Sequence, residues 1–208
     1  MTFIERTMLT LCVLLSVGCS RGDPPKSSAP PIAVENGSKR RQPEASLFDL
    51  PVELTDQKGT RFSLEELRGH PTVVSMFYAD CPYVCPTLIS DVRRLEEKLS
   101  GKVRSEVRVL LVSFDTERDT PERLRALMRE RKLDHVRWRL ARGSEEHVRE
   151  LAAALDIKYR RLEDGNFNHS SAVILLRADG TVATRTEGLA QPMDELAART
   201  TALLAGGR

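Results

Sequence analysis

The sequence lacks any apolar run long enough to cross a membrane as a helix. Its N-terminal run, Met8 to Val17, has ten residues, whereas a hydrocarbon core of about 30 Å needs about 20. A multi-spanning membrane protein is thereby excluded. A concentrated basic stripe is also missing: 32 Lys and Arg are interleaved with 30 Asp and Glu for a net charge of +2, which is not the footprint of a nucleic-acid binder. Cysteine is scarce, with four residues at positions 12, 19, 81 and 85. Apolar residues make up 40% of the 208, a little under the globular average of about 45–50%. That still suffices for one packed core and argues against wholesale disorder.

Ten apolar residues behind Arg6 fit the core of a secretory signal peptide. The run ends in Ser16-Val17-Gly18-Cys19, which resembles a bacterial lipoprotein cleavage box, with residues 1–18 removed and the Cys19 thiol lipidated. Ser16 stands where an aliphatic residue is usual and Glu5 weakens the basic flank; an uncleaved anchor or ordinary secretion signal is the alternative. Each places the bulk of the chain outside the cytoplasm. Residues 19–46 hold five of the eleven prolines among Ser, Lys, Arg and Gly, the composition of an extended tether. The folded unit is expected from 47 to the end, 208.

With Cys12 discarded and Cys19 lipidated, Cys81 and Cys85 alone remain, in a compartment where thiols oxidise. Such a pair is a disulfide, a redox couple or a metal site. Within the folded unit, strands and helices alternate. Strands are predicted at 50–54, 60–62, 72–78, 107–114, 136–140, 172–176 and 181–186, the last two a hairpin about Asp179-Gly180. Helices are predicted after Ser63, over 86–99, after Thr120-Pro121, after Ser144 and from Pro192. This order implies an α/β fold, a central mixed sheet flanked by helices, compatible with a thioredoxin-like architecture.

Cys81-Pro82-Tyr83-Val84-Cys85-Pro86 follows a buried strand and opens a helix, where open α/β sheets place their ligand sites. Four residues of helix separate the sulfurs by about 6 Å of rise, near the limit of disulfide reach, and a helix N-terminus favours thiolate. Cys85, on the apolar stripe, is expected to be the shielded sulfur and Cys81 the accessible one. Thioredoxin-type exchange typically spaces its cysteines by two residues; three place both sulfurs on one face, which suits chelation. Asp115 and Asp119 follow the second buried strand: Asp119 reads as a helix N-terminal carboxylate, and Asp115 could orient a ligand or meet a partner. His70, His135 and His147 read as loop or polar-face residues. His169, on a loop entering a strand, can face the same edge.

Those three clusters together resemble the Sco/SenC family of copper chaperones. The resemblance spans roughly Phe48 to Leu204 and rests on Cys81-x-x-x-Cys85-Pro86, on Ser113-Phe114-Asp115 through Asp119-Thr120-Pro121, and on His169-Ser170 before the strand leading to Asp179-Gly180. It implies a thioredoxin-like, exported, membrane-tethered protein on the extracytoplasmic (periplasmic) side of a bacterial envelope. It further implies delivery of copper to the binuclear site of a respiratory oxidase or related copper enzyme, or reduction of that site's cysteines. The implied metal ligands are Cys81, Cys85 and His169, with the two cysteines as the redox pair if exchange is the activity. Two thiolates and an imidazole suit Cu(I) and can hold Cu(II); zinc would lack a fourth ligand. Tyr83 stands where many members carry an acid, and Asn168 where Asp is usual. Both are candidates for tuning the metal's surroundings, and both changes bear more on Cu(II) than on Cu(I).

Overall fold

A computed structural model describes residues 45–81 and 84–206, with 84 and 85 described as backbone only. The expected leader, the lipidated Cys19, most of the tether, Tyr83 and the Cys85 side chain lie outside the described residues. Among these, no helix is long and apolar enough to span a bilayer.

Three apolar stretches form the centre of the sheet. β3 (Thr72–Phe77), β4 (Arg108–Ser113) and β8 (Ala172–Leu176) are buried almost throughout, as strands covered on both faces must be. Around them lie β1 (Glu53–Asp56), β2 (Arg61–Ser63), β5 (Trp138–Gly143) and β9 (Val182–Glu187) in the order β2-β1-β5-β4-β3-β8-β9. β3, β4 and β5 run parallel, while β1, β8 and β9 pair antiparallel. The expected mixed sheet flanked by helices is the observed one.

The helices are α1 (Val84–Lys98), α2 (Gly101–Glu106), α3 (Pro121–Glu130), α4 (Glu145–Ala154) and α5 (Asp194–Ala205). Their starts follow from local chemistry. The hydroxyls of Thr120 and Ser144 accept the Arg123 and His147 amides at 3.3 and 3.2 Å, satisfying N–H groups the first turn leaves without partners. Pro121 then opens α3 with φ already set. The helix after Ser63 is a single 3-10 turn, Leu64–Leu67, because only Leu64 and Leu67 are apolar enough to bury there.

Besides a 3-10 turn over Leu47–Asp49, two features were not expected. α2 is a six-residue helix with no fully buried residue, Val103 alone packing against the core, so no apolar stripe announces it. The other is a separate two-stranded ribbon, β6 (Tyr159–Arg161) with β7 (Phe167–His169). His169 therefore ends a strand instead of sitting in a loop. The alternation in Phe167-Asn168-His169 is too short to read as a strand beside polar Arg160 and Arg161.

Topology brings the chemistry-bearing segments to one edge. β3 and β4 are parallel with Phe77 opposite Ser113, so residues 78–81 and 114–120 leave the sheet side by side. β8 runs back along β3 with Val74 opposite Ile174, and the Ser75 hydroxyl donates to the Ala172 carbonyl at 2.6 Å. The start of β8, and His169 just before it, therefore lies at the end of β3 where the cysteine segment begins.

Candidate metal centre

Cys81 sits at the base of this edge with 7% of its surface exposed, and its amide donates to the Tyr78 carbonyl at 3.3 Å. The expectation that Cys81 is the accessible sulfur is not met in this conformation. It closes a turn that follows the buried Tyr78 and Ala79, so the chain has not yet returned to solvent. Among the described residues, no three His, Cys, Asp or Glu side chains form a group that could hold a metal ion; the Cys85 side chain, the third expected donor, is outside them.

His169 approaches the cysteine segment through aromatic rings. Phe167 and His169 are two apart on β7 and share a face. Both lie against Phe114, with ring centroids 5.0 and 4.8 Å away. Tyr78, three residues before Cys81, meets the His169 ring edge-on at 6.1 Å. Tyr159, across the β6–β7 ladder from His169, stacks on Phe114 at 5.2 Å. These rings form a continuous apolar wall from the imidazole to the cysteine turn.

The two ring nitrogens of His169 have different surroundings. Nδ1 lies 3.0 Å from the Ser170 carbonyl oxygen. A carbonyl only accepts, so Nδ1 carries the proton and donates it. In the neutral imidazole Nε2 is then the lone-pair nitrogen, and among the described residues it is buried without a hydrogen-bond partner. A buried acceptor left unsatisfied is uncommon and costs free energy. A cation of imidazole-seeking type would satisfy it, with the Nδ1 hydrogen bond fixing the tautomer as such ligands require. Asn168 does not supply that orientation: it points to the opposite, exposed face of β7, and the main chain of Ser170 does so instead.

The two aspartates also find different places from those expected. Asp119 is fully buried. It accepts the Ala79 amide at 2.8 Å and a short hydrogen bond from the Ser113 hydroxyl, so it ties the cysteine segment to the end of β4 rather than facing the α3 N-terminus. Burial pushes its carboxyl up, opposed by the Ser113 and Ala79 hydrogen bonds. Asp115, with 1% exposed, is in a close ion pair with Arg118. A carboxylate so enclosed does not meet a partner in this conformation.

Arg123 holds the same segment from α3, its Nε 3.1 Å from the Asp80 carboxylate. Arg118, Arg123, Tyr78 and Phe167 were not singled out in the sequence. Clustering of aromatics at strand ends was the one available signal. The remaining histidines lie apart: His147 Nδ1 is 3.0 Å from the Glu53 carbonyl, and His70 is near Arg108. His135 belongs to the segment between α3 and β5.

Comparison with known proteins gives the chain a lineage. The sequence profile of the SCO1/SenC family matches residues 40–205. An SCO2-like protein of Rickettsia prowazekii is 27% identical over 136 residues, 62% of this chain and 64% of that one. The chain thus spans a little under two thirds of that curated relative's length. Among solved structures, Bradyrhizobium japonicum ScoI with copper bound superposes at a TM-score of 0.60 with 25% identity, covering 74% of this chain and 98% of that one. An SCO1/SenC family lipoprotein from Bacillus anthracis superposes at 0.68 with 23% identity, covering 76% and 95%.

Proposed function

Because this chain belongs to the SCO1/SenC family, we propose that it is a copper metallochaperone, with Cys81, Cys85 and His169 as ligands. It receives copper and passes it to the binuclear copper site of a respiratory oxidase or a related exported copper protein. The observation that carries this reading is the His169 imidazole, whose buried Nε2 has no hydrogen-bond partner among the described residues while Nδ1 is engaged by Ser170. Two thiolates and one neutral imidazole are a soft donor set that favours Cu(I) and tolerates Cu(II). Thiolate ligation also suits Cys85 in the first turn of α1, where the helix N-terminus stabilises a deprotonated sulfur.

The working arrangement is a signal peptide over 1–18, a lipid on Cys19, a tether over 19–46 and the binding domain over 47–208. It holds the domain on the extracytoplasmic side of a bacterial membrane, and likeness to a lipoprotein of the same family supports it. Copper content of the purified full chain tests the function: one copper per chain is expected. His169→Ala should weaken Cu(II) binding by at least about a hundredfold, more than loss of an outer partner costs. Retention of wild-type Cu(II) affinity in that variant would remove the reading.

Thiol–disulfide exchange with a target's cysteines is the second reading, favoured by the position of the pair at a strand-to-helix switch. Burial of the Cys81 sulfur disfavours it, since enclosed thiols attack slowly. A Cys85→Ser variant that traps a mixed disulfide through Cys81 would reverse the ranking.

A further inference from the structure

Among the described residues, the β6–β7 ribbon that carries His169 pairs with no strand of the main sheet. Three backbone pairs, Tyr159–His169, Arg160–Asn168 and Arg161–Phe167, hold its strands together. Its tip is closed on itself: the Leu162 amide donates to the Asn166 carbonyl at 2.8 Å, and the Gly165 amide to the Leu162 carbonyl at 3.0 Å. The ribbon is therefore a self-contained unit. Apart from the aromatic wall, polar side chains of the β4–α3 connection decide where it sits.

Arg118 makes the best-enclosed of those contacts. Its Nη2 donates to the Gly165 carbonyl at 2.6 Å, 47 residues away in sequence. Its Nε forms the close pair with buried Asp115, whose other oxygen accepts the Arg118 amide at 3.2 Å. The guanidinium is thus fixed at one end by a carboxylate that is itself anchored to Ser113, through the Asp115 amide at 3.0 Å from the Ser113 hydroxyl oxygen. Ser113 in turn bonds Asp119, which holds the Ala79 amide. One continuous set of hydrogen bonds runs from the cysteine turn, through the end of β4, to the tip of the imidazole-bearing ribbon. A second clasp, Arg161 to Glu117 at 2.6 Å, is solvent-exposed on both sides and correspondingly weaker.

We infer that Arg118 is the positioning residue of the metal centre: by gripping the Gly165 carbonyl it sets how close the His169 imidazole stands to the cysteine segment. The inference rests on the copper reading above, which makes His169 a ligand. Among the described residues Arg118 bonds Asp115 and Gly165. It acts through the ribbon, and its effect falls chiefly on the imidazole. Cu(I), which soft thiolates select, would depend less on that placement than Cu(II), which would lean on the nitrogen. Arg118 therefore governs discrimination between the two oxidation states. A lysine in its place keeps the charge but bears its three N–H donors on one nitrogen where arginine presents a planar fork, and so spans Asp115 and Gly165 less well.

The test uses the full chain in two forms. In the metal-free protein, amide hydrogen exchange over 159–169 is compared between wild type, Arg118→Ala and Arg118→Lys. With copper(II) and copper(I) ions as separate probes, affinity is measured, and nitrogen hyperfine coupling is read in the Cu(II) form. A charge-assisted hydrogen bond is worth at least about tenfold in an equilibrium. Arg118→Ala should therefore speed exchange of the ribbon by about tenfold while β3 keeps its protection. It should also lower Cu(II) affinity about tenfold with weakened nitrogen coupling, and leave Cu(I) affinity within about twofold. Arg118→Lys, which disturbs folding least, should fall between. If ribbon exchange and Cu(II) affinity stay at wild-type values in both variants, Arg118 does not position the centre. Faster exchange with unchanged Cu(II) affinity overturns it equally, reducing Arg118 to a fold contact. Wild-type Cu(II) binding in His169→Ala sinks the copper reading instead, and the ribbon exchange still reports on the grip of Arg118.

Discussion

The β8–β9 hairpin is woven into the central sheet, whereas the β6–β7 hairpin is fastened beside it by side chains. β8 is buried along its whole length and has strand neighbours on both sides. Its turn is clamped as well: the Asp179 carbonyl accepts from the Ser46 hydroxyl at 2.5 Å and from Arg68 at 3.1 Å, and the Gly180 carbonyl from the Leu47 amide at 2.9 Å. Among the described residues β6 and β7 pair only with one another, and Arg160, Arg161 and Asn168 face solvent. Local opening follows buried apolar contact and ladder hydrogen bonds, so the two hairpins differ in the free energy needed to move them. The element that carries His169, the proposed ligand, is the one whose backbone is least committed.

The largest expected effect breaks the side-chain fastening. Phe114 is 3% exposed and touches Tyr78, Tyr159, Phe167 and His169. Phe114→Ala should lower stability by about 3–5 kcal/mol, measured by denaturant unfolding. Amide exchange should accelerate first over 159–169, with 172–176 protected until global unfolding. Equal acceleration in both hairpins would erase the distinction between them.

Glycine substitutions give the next contrast. Gly180 has φ +87°, and an added Cβ would lie 2.6 Å from the Phe48 ring. Left-handed backbone and overpacking together make Gly180→Ala cost about 2–4 kcal/mol. Gly165 has φ +79°, but its nearest neighbour would be the Arg118 guanidinium at 3.8 Å. Gly165→Ala should cost only about 1–2 kcal/mol, the backbone share alone. A larger loss at Gly165 than at Gly180 would mean the β6–β7 tip is the more tightly enclosed turn.

The smallest effect is one on which the hairpins agree. The Thr181 hydroxyl and amide hold the Asp179 carboxyl below the usual carboxylate range, and the Asn166 side chain and amide do the same for Asp164. A carboxyl depressed in the folded state adds stability above its unfolded value of about 3.9. That stability is lost as pH falls through the folded value. Asp179→Asn and Asp164→Asn should each flatten the acid limb of the stability profile slightly, to a similar degree. A steep change in one alone would show that its turn is coupled to the core.

The strand–helix alternation was legible because buried strands such as 72–77 and 108–113 are nearly unbroken apolar runs, and because Thr120-Pro121 and Ser144 mark helix starts by their own side chains. The β8–β9 hairpin was legible from Asp179-Gly180 for the same local reason. β6–β7 was not: its residues are mostly polar, and what orders them lies in Phe114, Tyr78 and Arg118. The burial of Asp115 and Asp119 was equally hidden. An acid after a strand reads as a helix-terminal charge until the neighbouring strand's loop is known to close over it.

By itself the sequence determined the alternating elements, the paired cysteines at a strand-to-helix junction and the histidine that stands before β8. Only the tertiary structure decided which nitrogen of His169 is left without a partner, that Cys81 is enclosed, and that Arg118 reaches Gly165. The physical reason is range. Periodicity and capping act over a few residues along the chain, whereas these contacts join segments dozens of residues apart, and sheet register alone brings them together.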